Sequence, residues 1–119
     1  MTLETYFNVH LVSDSTGETL NAVMRAAVAQ FDGISPLEPS YYLVRSPKQL
    51  ERVLQEIENA PGVVLYTITD EGLRSRLEER CRELGLPSVA ALDAVSAALE
   101  DMLGQQAKAR RGRQHLMDE

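Results

Sequence analysis

The chain has 119 residues, of which 44% are hydrophobic and 25% charged, a composition typical of one soluble globular domain. Its net charge of −6 argues against non-specific nucleic-acid binding, which depends on neutralised phosphates, and the lack of tryptophan argues against a base-stacking platform. The one cysteine, Cys81, has no intrachain disulfide partner, and no signal peptide or long apolar span is recognisable. We therefore expect a cytoplasmic protein whose partners include neither nucleic acid nor membrane.

The first apolar run, residues 6–12, is rich in β-branched and aromatic side chains and predicts a strand covered on both faces. A loop of small polar residues follows, and apolar positions then recur at helical spacing over residues 20–31. Ser15 and Glu18 have the S-x-x-E spacing of a capping box. This pattern predicts that the first helix starts inside the loop.

The second strand is predicted over residues 37–44, at an edge of the sheet because Pro36 and Pro39 limit its pairing. Ser46 and Gln49 form another capping box, with Pro47 at the first helical position. The second helix is indicated by apolar residues at i, i+3, i+4 and i+7, which are Leu50, Val53, Leu54 and Ile57.

A short apolar run, residues 63–68, predicts a strand in the middle of a parallel sheet. Asp70 is the predicted cap of a third helix, and Gly85 is its predicted stop. Leu73, Leu77, Cys81 and Leu84 form its apolar row. The charged residues between them are predicted to face water: Arg74, Arg76, Glu78, Glu79, Arg82 and Glu83.

A fourth strand is predicted over residues 87–92, and a fourth helix from a cap at Asp93 through Leu103, stopped by Gly104. Strict β-α alternation with short connections predicts an α/β fold, a three-layer doubly wound parallel sheet of four strands with helices on both faces. We predict strand order 2-1-3-4 and assign residues 1–104 to one α/β domain.

In this order, the loop after the first strand lies at a topological switch point, where open α/β sheets bind ligands. Its hydroxyls, its glycine and the N–H groups of a helix start suit an anion such as phosphate. The candidate phosphate-binding residues are Ser13, Ser15, Thr16, Gly17, Glu18, Thr19, Arg45 and Ser46, with Asp14 as a metal ligand or catalytic base. The alternatives are a capped turn without a ligand, a solvated Arg45, and a Ser46 that only caps the second helix.

His10 lies in the middle of the first strand and is predicted to be a packed core histidine. His115 lies in a basic C-terminal segment, and neither histidine has metal-ligand spacing with Cys81. We therefore expect no zinc site. Residues 1–104 carry 16 acidic and 8 basic residues, whereas residues 105–119 carry two acidic and four basic ones. The segment 105–119 is interpreted as a basic tail or as the start of a missing C-terminal domain.

Five motifs in order resemble the N-terminal half of the pyruvate, phosphate dikinase regulatory protein family, which includes the phosphoenolpyruvate synthetase regulatory proteins. They are residues 9–19 (VHLVSDSTGET), 43–46 (LVRS), 61–67 (PGVVLYT), 84–87 (LGLP) and 112–115 (GRQH). The resemblance implies an ADP-dependent kinase that phosphorylates a threonine of the dikinase or synthetase, and a phosphorylase that removes the group with inorganic phosphate and releases pyrophosphate. Phosphoryl transfer usually also involves Mg²⁺.

The same resemblance implies that the nucleotide-binding P-loop lies in a second, C-terminal half. None of the seven glycines belongs to a G-x-x-x-x-G-K-[ST] motif. We therefore interpret the chain as an N-terminal fragment, inactive alone, that contributes phosphate or target binding.

Two alternatives remain open. One is a flavodoxin-like phosphate- or nucleotide-binding module, because residues 15–19 partly match the Thr-Gly-x-Thr loop of flavin mononucleotide proteins, although flavin-flanking aromatic residues are lacking. The other is a non-catalytic domain for homodimerisation or for docking on the target enzyme.

Overall fold

The computed structural model describes residues 5–107. In chain order its elements are β1 (Thr5–Ser13), α1 (Glu18–Val28), β2 (Ile34–Leu37), β3 (Ser40–Tyr41), α2 (Pro47–Asn59), β4 (Gly62–Thr67), α3 (Glu71–Leu84), β5 (Ser88–Ala90) and α4 (Asp93–Leu103). The basic residues of the C-terminal segment 105–119, which is interpreted as a tail or as the start of a further domain, lie outside the described residues, as does His115.

All strand pairs are parallel, and the sheet order is β2-β1-β4-β5, with β3 also paired to β1. The predicted order 2-1-3-4 is therefore confirmed once the predicted second strand is taken as β2 and β3 together. The central pair, β1 and β4, runs in register from Asn8 opposite Gly62 to Ser13 opposite Thr67. This pairing brings the carboxyl ends of both strands to the same edge of the sheet.

The prediction of one continuous second strand over residues 37–44 is wrong. β2 ends at Leu37 and β3 covers only Ser40–Tyr41, because Pro39 between them has no N–H for the ladder. The carbonyl of Pro39 still accepts a hydrogen bond from Leu11 N at 2.9 Å. The predicted edge position is confirmed, since β2 ends the sheet.

The core lies on both faces of the sheet, as the α/β prediction requires. Successive residues of β1 point to opposite faces: Leu11 packs with Leu20 and Met24 of α1, whereas Val12 packs on the side of α2 and α3. The buried apolar residues of α2 and α3 are Leu50, Val53, Leu54, Ile57, Leu73, Leu77 and Cys81. The predicted apolar faces of these two helices are therefore confirmed.

Two predicted helix starts are wrong. The N-cap of α1 is Gly17, with φ 80°, and no side chain caps this helix, so Ser15 and Glu18 do not form a capping box. The N-cap of α4 is Leu92, again without a side-chain cap bond, because the Asp93 carboxylate is paired with Arg74. α1 also ends at Val28, earlier than the predicted residue 31.

Two other side chains behave as predicted. His10 is fully buried, with Nε2 2.6 Å from the carbonyl of Ala60 and Nδ1 3.1 Å from the Tyr41 hydroxyl. A carbonyl only accepts, so Nε2 carries the proton and His10 is a hydrogen-bonded core residue. Cys81, in the predicted apolar row of α3, is buried, and burial raises the pKa of its thiol. Within residues 5–107, no helix combines the length and apolarity that a bilayer crossing requires.

Candidate functional site

A cavity of about 440 Å³ opens at the carboxyl ends of β1 and β4. Its lining comprises residues 13–19, residues 66–69, Arg74, Ala90, Leu92, Asp93, Ser96 and Ala107. The whole predicted loop after the first strand thus forms one wall. The end of β4 and the region between α3 and α4 form the rest.

Ser13 fixes the loop to β4 and is itself only 1% exposed. Its Oγ accepts hydrogen bonds from Ser15 N at 3.0 Å and from Thr67 Oγ1 at 3.1 Å. The buried hydroxyl therefore sets the direction in which the chain leaves the sheet. Among the predicted site residues, Ser13 shapes the loop, whereas the more exposed Ser15 and Thr16 present polar groups to the cavity.

Asp14 is half-buried at the centre of this edge. Its Oδ2 accepts from the backbone N and from the Oγ1 of Thr69, each at 3.0 Å, and its backbone carbonyl accepts from Arg45 Nε at 2.8 Å. Thr69 follows β4, so these bonds link the two central strand ends. They fix the orientation of the Asp14 carboxylate at the cavity, the position expected for a catalytic base or a metal ligand.

The start of α1 is shaped by Gly17, whose left-handed backbone lies under the ring of Tyr42. A Cβ atom on Gly17 would lie 2.0 Å from Cε1 of that ring. The Tyr42 hydroxyl in turn accepts from Asn21 Nδ2 at 3.0 Å, which holds the ring in place. Because no side chain caps α1, the N–H groups of its first turn remain available to a ligand at the cavity wall.

Arg45 and Ser46 lie next to this loop but contribute differently. Arg45 lines a second cavity of about 380 Å³, which shares Asp14, Ser15 and Thr69 with the first. Ser46 Oγ accepts from Gln49 N and donates to Gln49 Oε1, both at 3.2 Å, and so caps α2 as predicted. Neither of these two cavities has Ser46 in its described lining.

Arg74 was predicted to face water, and this prediction is wrong. Its side chain is 26% exposed. The guanidinium makes two bonds to the Asp93 carboxylate at 2.7 and 3.1 Å and lies 5.5 Å from the centre of the Tyr66 ring. Arg74 also approaches Glu78 at 3.4 Å, and the Tyr66 hydroxyl donates to the same carboxylate. The i, i+4 spacing of Arg74 and Glu78 is the one sequence signal that pointed to this network.

The network alters the acidity of its members. Burial, together with the hydrogen bond to Glu78, raises the pKa of Tyr66 to about 12. The bonds to Asp93 raise the pKa of Arg74, which is therefore a permanent cation. The described lining of the cavity therefore contains three carboxylates, those of Asp14, Glu18 and Asp93, and one guanidinium, that of Arg74.

Residues 5–107 contain no group of three or more histidine, cysteine, aspartate or glutamate side chains placed to hold a metal ion.

Comparison with known proteins identifies the family. The model of the kinase/pyrophosphorylase family matches residues 9–119. Relatives named pyruvate, phosphate dikinase regulatory protein are 60% identical over 114 residues in Hyphomonas neptunium, 56% over 117 residues in Maricaulis maris and 57% over 113 residues in Caulobacter vibrioides. These alignments cover 96%, 98% and 95% of this chain, but only 41%, 42% and 36% of the relatives. The chain belongs to the kinase/pyrophosphorylase family and spans about two fifths of the length of these relatives.

Proposed function

We propose that this chain forms the N-terminal part of a bifunctional regulator of pyruvate, phosphate dikinase or of phosphoenolpyruvate synthetase. With ADP the regulator phosphorylates a threonine of the target, and with inorganic phosphate it removes the phosphoryl group as pyrophosphate. The family match and the names of the relatives support the dikinase as the target. The chain alone is inactive, and the α/β domain of residues 1–104 contributes phosphate or target binding.

The observation that carries this proposal is the uncapped start of α1 at the wall of the large cavity. ADP, inorganic phosphate, pyrophosphate and phosphothreonine are all anions, and a helix N-terminus with free N–H groups binds anions. Ser15 and Thr16 add hydroxyl donors beside it. Phosphoryl transfer depends mainly on positioning and electrostatic stabilisation, which such a cradle provides.

Asp14 is the proposed base. In the kinase direction, the oxygen of the target threonine bonds to the β-phosphorus of ADP, the bond from that phosphorus to the rest of the nucleotide breaks, and AMP leaves. A carboxylate near the threonine oxygen accepts its hydroxyl proton. In the opposite direction, an oxygen of inorganic phosphate bonds to the phosphorus, the bond to threonine breaks, and a proton returns to the threonine oxygen. The two bonds from Thr69 hold Asp14 at the strand end for this role.

Nucleotide binding is assigned to the part of the relatives that this chain does not span. The 119 residues of this chain contain no G-x-x-x-x-G-K-[ST] motif, whose lysine and backbone would hold the nucleotide phosphates. The site is then shared, with the loop 13–19 as one wall and the nucleotide-binding part as the other.

The test joins this chain to the remaining part of the Hyphomonas neptunium relative. The purified fusion is incubated with ADP and the dikinase, and threonine phosphorylation is followed by mass spectrometry. We expect phosphorylation by the fusion and none by the 119-residue chain alone. Phosphorylation by the chain alone would refute the assignment of nucleotide binding to the other part.

Substitutions in the fusion then locate the site. Asp14→Asn and the double change Ser15→Ala, Thr16→Val are each expected to lower turnover about a hundredfold, within the range for loss of an acid–base group or of oriented donors. Ser75→Ala, at an exposed serine of α3, is the matched control and should leave turnover unchanged. Full activity of both loop variants would remove the loop from the mechanism.

A further inference from the structure

Arg74 is placed to meet any anion that enters the cavity. Among residues 5–107, it is the one basic side chain in the lining, and the surrounding carboxylates give the wall an excess of negative charge. A phosphate group repelled by these carboxylates needs at least one cation for binding. The uncapped helix start supplies only partial charge, so the guanidinium is the strongest anion-binding group available on the described walls.

The guanidinium is held in a geometry that a phosphate can take over. It makes a two-bond contact with Asp93 and lies over the ring of Tyr66, 5.5 Å from the ring centre. The planar fork of an arginine fits the oxygens of a carboxylate or of a phosphate in the same bidentate manner. The Tyr66 ring and the Glu78 carboxylate keep the fork at the cavity wall when Asp93 moves away.

Asp93 can move away at little cost to packing. Its side chain is 54% exposed and lies at the start of α4. α4 has no buried residue in the described structure, so a small displacement of its first turn uncovers no core. A partly exposed ion pair of this kind also contributes little to folding stability.

We propose that Arg74 binds the phosphate group in this cavity and that Asp93 competes with phosphate for the Arg74 guanidinium. The inference rests on the proposed function, to which it adds a binding residue and a built-in competitor. Without an anion, the pair closes on itself and neutralises the guanidinium. When a phosphate enters, its two oxygens replace those of Asp93.

The test is isothermal titration of the 119-residue chain with inorganic phosphate. Arg74→Met is expected to weaken phosphate binding at least tenfold, roughly the effect of losing a charge-assisted bidentate contact. Arg74→Lys retains the charge without the fork and should fall between wild type and Arg74→Met. Urea unfolding of each variant verifies that the variant is folded. If Arg74→Met does not fold, Arg74→Lys still tests the role of the guanidinium fork.

Asp93→Asn separates competition from a general charge effect. If Asp93 competes for the guanidinium, its neutralisation tightens phosphate binding about threefold in the wild-type background and clearly less in the Arg74→Met background, where only the repulsion by its charge is relieved. A gain of the same size in both backgrounds would show that Asp93 acts only through its charge, and would overturn the competition.

The pair of Arg76 and Glu51 provides the matched control. It also joins α3 to a carboxylate by two bonds, both 3.0 Å long, but it does not line this cavity. Arg76→Met and Glu51→Gln should leave phosphate affinity unchanged. Equal affinity of wild type and Arg74→Met overturns this inference alone, whereas no phosphate binding by the wild-type chain overturns the proposed phosphate site of the loop as well.

Discussion

Four helices start at the carboxyl edge of the sheet, and they do not start in the same way. α2 and α3 are capped by side chains, since Gln49 N donates to Ser46 Oγ at 3.2 Å and Leu73 N donates to Asp70 Oδ2 at 2.9 Å. In the described structure, α1 starts from Gly17 and α4 from Leu92, both without a side-chain cap. Two helix starts are therefore capped by their own side chains and two are not, and the proposed phosphate site uses the start of α1.

The difference is not visible in the motifs themselves. The residues before α1 have S-x-x-E spacing and those before α2 have S-x-x-Q spacing, so both predict a capping box. Gly17 makes the difference because it occupies the N-cap position of α1 with a left-handed backbone, so Ser15 lies two residues before the cap. The amide of Ser15 then turns back to Ser13 Oγ, and Tyr42 closes over the glycine.

The largest loss of stability is expected from Gly17→Ala, which changes the N-cap residue of the uncapped helix α1. A side chain at φ 80° is strained, and its Cβ would meet the Tyr42 ring at 2.0 Å. Together these terms should lower the free energy of unfolding by about 3 kcal/mol. Urea denaturation followed by circular dichroism measures the change.

Gly85→Ala is the control for that variant. Gly85 has a similar φ of 71° at the end of α3, but a Cβ there meets nothing within 4 Å. It should therefore cost only the backbone strain, about 1 kcal/mol. Equal losses for the two variants would show that the Tyr42 contact does not matter.

A smaller effect is expected from removing each cap in turn. Ser46→Ala and Asp70→Ala each lose a bond to a first-turn amide and should lower the free energy of unfolding by about 1 kcal/mol. Ser15→Ala should change it by less than about 0.5 kcal/mol, because Ser15 is not a cap. Thermal unfolding of the three variants tests this ranking, and a loss for Ser15→Ala as large as for Ser46→Ala would restore the capping box at α1.

An effect similar to that of removing a cap is expected at neutral pH for Tyr66, which also lines the cavity. Tyr66→Phe removes its hydrogen bond to Glu78 and should cost about 1 kcal/mol. The folded protein favours the protonated phenol, whose pKa is raised from 10 to about 12. Its contribution is therefore complete below pH 10 and is lost as the pH rises through about 12.

The tyrosinate absorbance of wild type and Tyr66→Phe measures this titration. The variant should lack the last phenol to ionise, and its stability should fall less steeply between pH 10 and 12. If the absorbance that the variant lacks developed near pH 10 and not near pH 12, Tyr66 would be in an ordinary environment.

The sheet order and the caps of α2 and α3 followed from sequence, whereas the caps predicted for α1 and α4 were wrong and the side-chain contacts between distant residues were not predicted. The caps at Ser46 and Asp70 were predictable because donor and acceptor lie within one helical turn. The pairing of Arg74 with Asp93 joins residues 19 apart, and the contact of Tyr42 with Gly17 joins two separate loops. The charge of a residue and its helical periodicity do not reveal contacts between distant parts of the chain, so Arg74 was predicted to face water.

The interrupted edge of the sheet has a consequence for behaviour at high concentration. β2 is the outer strand on that side, and its Pro36, like Pro39 just beyond it, has no N–H to donate. A strand from another molecule that tried to extend the sheet there would find donors missing from the ladder. At the opposite edge, β5 is only three residues long. Both edges are therefore poor templates for intermolecular β-pairing, which disfavours edge-to-edge aggregation of this parallel sheet.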